Sequence, residues 1–495
     1  MTKKETKKPF VLAAVMVAMF MSAVEATIVS TAMPSIVSEL GGFSLYSWVF
    51  SSYLLMQVAT ILIYGKTADL FGRKPVFVTG VIIFLIGSLL CGFASTMKQL
   101  IVYRFIQGIG AGAVMPIATT IVGDIYTKEE RASIQGYLSS VWGISAIVGP
   151  VLGGILVKYV SWVYVFWMNL PLGLLAIAGV VFFLHEDVQR KKHVIDYKGS
   201  ILLVLSISAF MLVLVEGGVH WAWNSWQILT LLAIFLIGFV LWVREEKRTP
   251  EPMMPFNIWR YRAITVSNTA SFTTGMILMG VSTFLPAFVQ GVLEQSPMVA
   301  GFTLTTMSIG WPIASTIAGK MVVNVGYRKL TVAGACAIII GSIIFILMSP
   351  DKGPVWPALG SLLVGAGMGL TTTSFIVSVQ STVDWNVRGV ATASNMFMRT
   401  LGSAVGAALL GGLLNGRLQS FIEEKGLQGE ITIETFNLLL DEQQRASLIE
   451  SMKILLQDGL SIALNFVYWG VVIIAILTLF LVFFMPETEE QMERS

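Results

Sequence analysis

Two charges stand where an apolar chain ordinarily keeps none. Glu25 follows the run PFVLAAVMVAMFMSAV, which starts at Pro9, and Arg104 lies near the start of YRFIQGIGAG (103–112). An acid at the centre of an apolar helix costs about 2.5–3.5 kcal/mol on insertion scales, so its presence implies a use. A carboxyl group in that setting can take up and release a proton. A neighbouring cation, either Arg104 or a bound substrate, competes with the proton for it. If the site opens alternately to the two sides of a membrane, that competition becomes exchange. The plainer reading is a neutral carboxyl, hydrogen-bonded for packing alone. Arg104 either faces a shared cavity or snorkels to the outer surface. Arg399, deep in a later apolar run, either pairs with an acid, tunes charge preference or serves structure.

The surrounding chain must hold these groups in oil. Its 495 residues are 55% hydrophobic and 12% charged, with a mean hydropathy of +0.78. A soluble chain carries about 25% charged residues, so a polytopic membrane protein is expected. The net charge of +3 comes from bases scattered through short loops, which argues against a nucleic-acid partner. Cys91 and Cys336 lie in separate apolar runs and read as small core fillers. The basic start followed by an apolar run resembles a signal peptide. The run continues past Glu25, however, and reads as an uncleaved first span.

Membrane-length segments of about 20 residues fall near 10–34, 47–65, 75–95, 99–122, 132–157, 162–184, 199–216 and 226–243. Six more fall near 263–289, 297–322, 330–349, 355–379, 389–415 and 459–485, giving fourteen. Among the acids, Glu25 alone lies deep in a span, whereas Asp124, Glu216 and Glu294 lie near span ends. With a cytoplasmic N-terminus, 23 of the 32 Lys and Arg residues fall inside and seven outside, while Arg104 and Arg399 are within spans. Both termini are therefore expected in the cytoplasm. GKTADLFGRKPVFVTG from Gly65 is echoed by GKMVVNVGYRKLTVAG from Gly319 at an offset of 254. Gly108, Gly110, Gly112, Arg131, Gly149 and Gly154 recur at an offset of 257. Two parallel halves with a site between them near the midplane describe a transporter. The expected domains are a six-helix half (1–190), two linker helices (191–262) and a second half (263–495).

Three motifs carry this further. In GKTADLFGRK (65–74), Gly65 and Gly72 permit a tight turn, and Asp69, Arg73 and Lys74 can form a charge network that breaks when the halves rock. The bland reading is a solvated positive-inside loop; the echo keeps the glycines but has Val323 for Asp69. Arg104, Gly108, Gly112 and Pro116 share one helix face, where small residues let another helix approach. In GISAIVGPVLGG (143–154), Ser145, Gly149 and Gly153 share a face and Pro150 interrupts the hydrogen-bond ladder. Packing alone explains the small residues, including Gly143 and Gly154. The proline suggests a helix that bends or slides against the other half.

These residues resemble the major facilitator superfamily, and within it the fourteen-helix drug:proton antiporter branch. GKTADLFGRK, YRFIQGIGAG and GISAIVGPVLGG resemble its loop, helix-four and helix-five motifs. VEATIVSTAMP (24–34), SWVYVFWMNLPLG (161–173), DYKG (196–199) and RGVATASNMFMRTLGSAVG (388–406) resemble branch patterns. The helix-one motif usually carries Asp where this chain has Glu25, so the charge is kept on a longer arm. The resemblance implies an all-α membrane fold of two six-helix halves plus two inserted helices.

The expectation is a proton-coupled exporter of lipophilic, cationic compounds, driven by the proton gradient without a cofactor or metal. It would work as a monomer in the cell membrane, with Glu25 coupling and Arg104 modulating. Trp142, Trp311 and Arg399 are candidate cavity residues, with Trp48, Tyr53, Met56, Phe272 and Met276 on helices the family places in or near the cavity. An exporter of an endogenous lipid or metabolite is the second reading, and a non-transporting membrane sensor the third. No catalytic constellation is evident: His185, His193 and His220 lie in loops. The outer loop, 416–458, holds eight acids and four bases and reads as a connector or a lid with amphipathic helices.

Overall fold

The computed structural model describes residues 6–126, 128–186, 197–217, 221–249, 256–349, 352–383, 385–427, 429 and 431–487; the side chains of Asp69, Trp142, Val323 and Arg388 are outside the described residues. The described residues form helices and no strand. In chain order these are α1 (Lys8–Leu40), α2 (Tyr46–Phe71), α3 (Arg73–Gly92), α4 (Met97–Ile125), α5 (Lys128–Tyr159), α6 (Val163–Trp167), α7 (Asn169–Phe183) and α8 (Tyr197–Glu216). They continue as α9 (Trp226–Glu246), α10 (Arg262–Ala287), α11 (Pro297–Val325), α12 (Tyr327–Ile346), α13 (Val355–Thr382), α14 (Trp385–Glu424), α15 (Glu442–Ser447) and α16 (Glu450–Val482). Backbone groups in hydrocarbon must be paired within the chain, which is why so apolar a sequence is helical throughout.

A helix lies over each of the fourteen expected segments, but ten stretches among the described residues are long and apolar enough to cross a membrane. Two shorter apolar stretches, Gly143–Tyr159 and Lys198–Leu214, lie on α5 and α8. The expected sixth span, Val163–Phe183, comprises α6 and α7, joined through Met168 in right-handed helical conformation.

Helix ends follow local chemistry. Thr96 caps α4 by accepting from the Gln99 N–H, and Ser296 caps α11 ahead of Pro297. Gly72 (φ 96°) and Gly326 (φ 91°) turn the chain between α2 and α3 and between α11 and α12. Positive φ strains any residue with a Cβ, so the repeated glycines build one turn twice.

The chain divides into two compact units. The first, Met1–Ala32, Ser52–Ser208 and Ile234–Met253, has a core that includes Val15, Phe77, Phe84, Val114, Ile117 and Val180. The second comprises Met33–Ser51, Ala209–Ala233 and Met254–Ser495. In it α14 runs 40 residues, about 60 Å at 1.5 Å per residue, twice a bilayer's hydrocarbon thickness. Its C-terminal end leads into the segment 431–449, expected as part of an outer loop, which is folded. Phe436 and Leu439 are wholly buried and pack within the unit, while Ile449 and Ile454 are exposed. Glu434 accepts from the Phe43 N–H at 2.7 Å and the Ser44 hydroxyl at 2.7 Å. Arg445 donates to the Gln290 and Leu439 carbonyls, both at 2.8 Å. Cys91 is buried as expected, but Cys336 is exposed on α12 and fills no core.

Candidate functional site

The charged residues of the apolar helices meet inside the first unit. Arg104, on α4, forms a salt bridge to Glu25 Oε1, on α1, through Nη1. The same nitrogen donates to Gln107 Oε1 at 2.7 Å. Asn169 Nδ2, at the start of α7, donates to the other carboxylate oxygen, Oε2, at 2.6 Å and to Ser88 Oγ at 2.9 Å. Gln107 Nε2 donates to Ser88 Oγ at 3.0 Å. The bonds close a ring: Glu25, Arg104, Gln107, Ser88, Asn169 and back to Glu25. Ser88 in turn donates to the Phe166 carbonyl at 2.9 Å, fixing α3 to α6.

The ring is dry. Glu25 is 1% exposed and Arg104 2% exposed. The Tyr53 ring lies 4.1 Å from the Arg104 guanidinium and caps it by cation–π contact. Arg104 therefore turns inward to the acid and does not snorkel. With the carboxylate held at both oxygens and shut from solvent, any proton or cation reaching Glu25 must first part the ring.

Glycines set the helix spacing around it. A Cβ on Gly108 would strike the Tyr53 carbonyl oxygen, so α4 and α2 touch backbone to backbone beside Arg104. Gly149 and Gly153 face Thr27 and Ile28 of α1, next to Glu25, and Ser145 Oγ donates to the Phe20 carbonyl at 3.5 Å. The glycine face of α5 is thus occupied by α1 of its own unit, where the sequence suggested a partner in the other half. Pro150 lies inside α5, and Gly143 and Gly154 lie on the same helix.

At the α2–α3 turn, Arg73 Nε pairs with Asp124 Oδ2 at 2.9 Å. Glu186 accepts from the Arg73 and Lys74 N–H groups at 2.9 and 3.0 Å, completing the first turn of α3. Lys74 Nζ donates to the Val181 and Leu184 carbonyls at 2.7 and 2.8 Å, at the end of α7. Gly72 makes the α2–α3 turn, whereas Gly65, expected in the same loop, lies within the helical α2, and the Asp69 side chain is outside the described residues. A cavity of about 300 Å³ is lined here by Lys8, Arg73, Asp124, His185 and Glu186 among others. In the second unit the echoed turn has Arg328 paired with Glu487 at 3.0 Å.

The remaining candidates do not join the ring. Trp311 is half-buried on α11 and Arg399 half-buried on α14, both in the second unit. Trp142 is outside the described side chains. Sequence reasoning missed Gln107, Ser88, Asn169 and Glu186, whereas Tyr53, a candidate cavity residue, is brought onto Arg104. Gln107 and Asn169 lie within quoted motifs, each a polar residue in an apolar run, and that was the available signal.

Several known proteins are similar to the whole arrangement. Residues 15–407 match the family model described as Major Facilitator Superfamily. The chain is 37% identical over 410 residues to Multidrug resistance protein 3 of Bacillus subtilis (strain 168), covering 83% of this chain and 80% of that protein. It is 34% identical over 422 residues to Multidrug transporter protein MdtP of the same organism, covering 85% and 78%. The fold is similar to a bacterial homolog of the human lysosomal transporter Spinster in an inward-facing, occupied conformation, with TM-score 0.66, 15% identity and 96% of each chain covered. A D-xylose-proton symporter gives TM-score 0.63 at 13% identity, over 97% of this chain and 98% of that one. The chain is a multi-pass membrane transporter rather than an enzyme, and it belongs to the Major Facilitator Superfamily.

Proposed function

We propose that this chain is a proton-coupled antiporter that exports lipophilic, cationic compounds across the cell membrane by alternating access. The observation that carries the reading is the closed, dry ring around Glu25, a titratable acid held by one cation and one amide. The printed names of the relatives, a multidrug resistance protein and a multidrug transporter, support the export of varied small molecules.

In this reading a proton on Glu25 weakens the bonds from Arg104 and Asn169 together, since a neutral carboxyl is a poorer acceptor than a carboxylate. Arg104, still stacked on Tyr53, then loses its counter-charge, and α1 is free to shift across the glycine contacts of α5 and α4 across those with α2. A cationic substrate takes the place of Arg104 beside the deprotonated acid in the opposite state. Each inward elementary charge contributes about 2.3 kcal/mol per 100 mV to the cycle. Arg73, Asp124 and Glu186, with Asp69, act as the cytoplasmic latch. Fourteen crossings, two six-helix halves joined by a linker pair, cytoplasmic termini and a functional monomer complete the proposal.

The test is proton movement in everted vesicles, reported by a pH-sensitive dye, on adding lipophilic cations. Glu25→Gln should abolish substrate-evoked proton release while the amount of protein in the membrane is unchanged. Exchange equal to the parent's would remove Glu25 from the coupling role.

A further inference from the structure

Arg104 and Arg399 are the two arginines inside the expected spans, and the structure treats them oppositely. Arg104 has a carboxylate, an amide oxygen and an aromatic face around it. The Arg399 side chain makes no hydrogen bond, ion pair or ring contact with any described residue. It lies on the apolar stretch Ser394–Glu424, about 8 Å along the helix from Ser394 at 1.5 Å per residue. A guanidinium at such a place needs an anion or a wet cavity to offset its desolvation.

Its neighbours are already committed. One turn earlier, Asn395 Nδ2 donates to the Ser267 carbonyl, Asn268 Oδ1 and Ser271 Oγ at 3.2, 3.1 and 2.9 Å. One turn later, Ser403 Oγ donates to the Gly275 carbonyl at 3.2 Å. Between them the backbones of α10 and α14 touch: a Cβ on Gly275 would strike the Arg399 carbonyl oxygen, and one on Gly402 the Phe272 carbonyl oxygen. The seam has no room for the long side chain, which is half-buried. Met396, 44% exposed, lies three residues before Arg399 on the same helical face, and Thr400 gives its hydroxyl to the Met396 carbonyl at 3.0 Å. A pliable thioether and a planar cationic fork lie side by side. That set suits an apolar molecule carrying a carboxylate, which a guanidinium grips through two parallel hydrogen bonds.

We infer that Arg399 is a specificity-determining residue that recognises the carboxylate of a lipophilic acid or zwitterion. The cargo then extends beyond cations to molecules bearing both an apolar body and an acidic group. The inference rests on the efflux reading above and deepens it.

The experiment measures equilibrium binding of a rhodamine free acid and of its ethyl ester to the full chain in nanodiscs of one lipid composition. The pair differs in whether the benzoate is ionised. The parent should bind both dyes. Arg399→Gln should weaken the free acid about tenfold or more, the range expected for a charge-assisted bond, and leave the ester unchanged; Arg399→Lys should lie between. An unchanged acid-to-ester ratio, or an equal loss of both dyes in variants that elute as the parent does, overturns the inference in favour of a structural arginine. If the parent binds the ester but not the acid, the inference fails and the efflux reading stands. If it binds neither dye, the efflux reading fails and the inference with it.

Discussion

Asn169→Leu is the sharpest test of the ring. The substitution keeps the side chain's size and removes both donated bonds, at 2.6 Å to Glu25 Oε2 and 2.9 Å to Ser88 Oγ. A hydrogen bond to a charged acceptor contributes about 1.5–3 kcal/mol and a neutral one about 0.5–1.5. Interhelical bonds measured within membranes average about 0.6 kcal/mol, with a maximum near 1.7, because the separated helices find other partners. The neutral bond to Ser88 should follow that average, since Ser88 also keeps its bonds to Gln107 and Phe166. The bond to Glu25 should exceed it, because with Glu25 1% exposed no water replaces the lost donor at Oε2. The expected loss is about 2–3 kcal/mol, read from reversible unfolding in mixed micelles. A double-mutant cycle with Glu25→Gln isolates the shared part, which should be about 1–2 kcal/mol. Losses that add to within about 0.5 kcal/mol would mean the two residues are energetically independent, and the ring would be a picture without a coupling.

Two other perturbations probe the surroundings. Gly149→Ala places a Cβ against Thr27 Oγ1, so transport should fall about tenfold or more. Adding Thr27→Ala, which removes the obstructing oxygen, should restore much of it in the vesicle assay. For Glu294, burial pushes the carboxyl up, but hydrogen bonds from Lys453 and Gln457 and the charges of Lys453 and Arg445 outweigh it, holding the carboxyl below its ordinary 4.5. A lowered folded value means the outer loop's docking is constant above that ordinary value and is lost as pH falls through the lowered one. Protease cleavage within 425–449 should therefore rise only in acid, and Glu294→Gln should flatten that rise.

Much of this was legible in the chain. Glu25 and Arg104 stand out because full charges are rare in apolar runs, and the paired turns at Gly72 and Gly326 were visible as a repeat. Asn169, Ser88 and Gln107 were not singled out, because uncharged polar residues are ordinary in such helices. Their importance comes from meeting across α3, α4 and α7, a fact of packing rather than of spacing. The course of the segment 416–458 was hidden for a related reason. Its apolar residues could as well have faced lipid headgroups, and only the folded unit shows Phe436 and Leu439 turned inward. The direction taken by the α5 glycines was also beyond the sequence: a small-residue face reveals a close neighbour without naming it.

The closed circuit of bonds from Glu25 through Arg104, Gln107, Ser88 and Asn169 has a consequence for how such a sequence can vary over generations. A replacement at one position strands a donor or acceptor on each side, so single exchanges are penalised twice. Lineages can cross that barrier most readily by changing adjoining members in concert, which should leave a signature of correlated substitution across helices far apart in the gene.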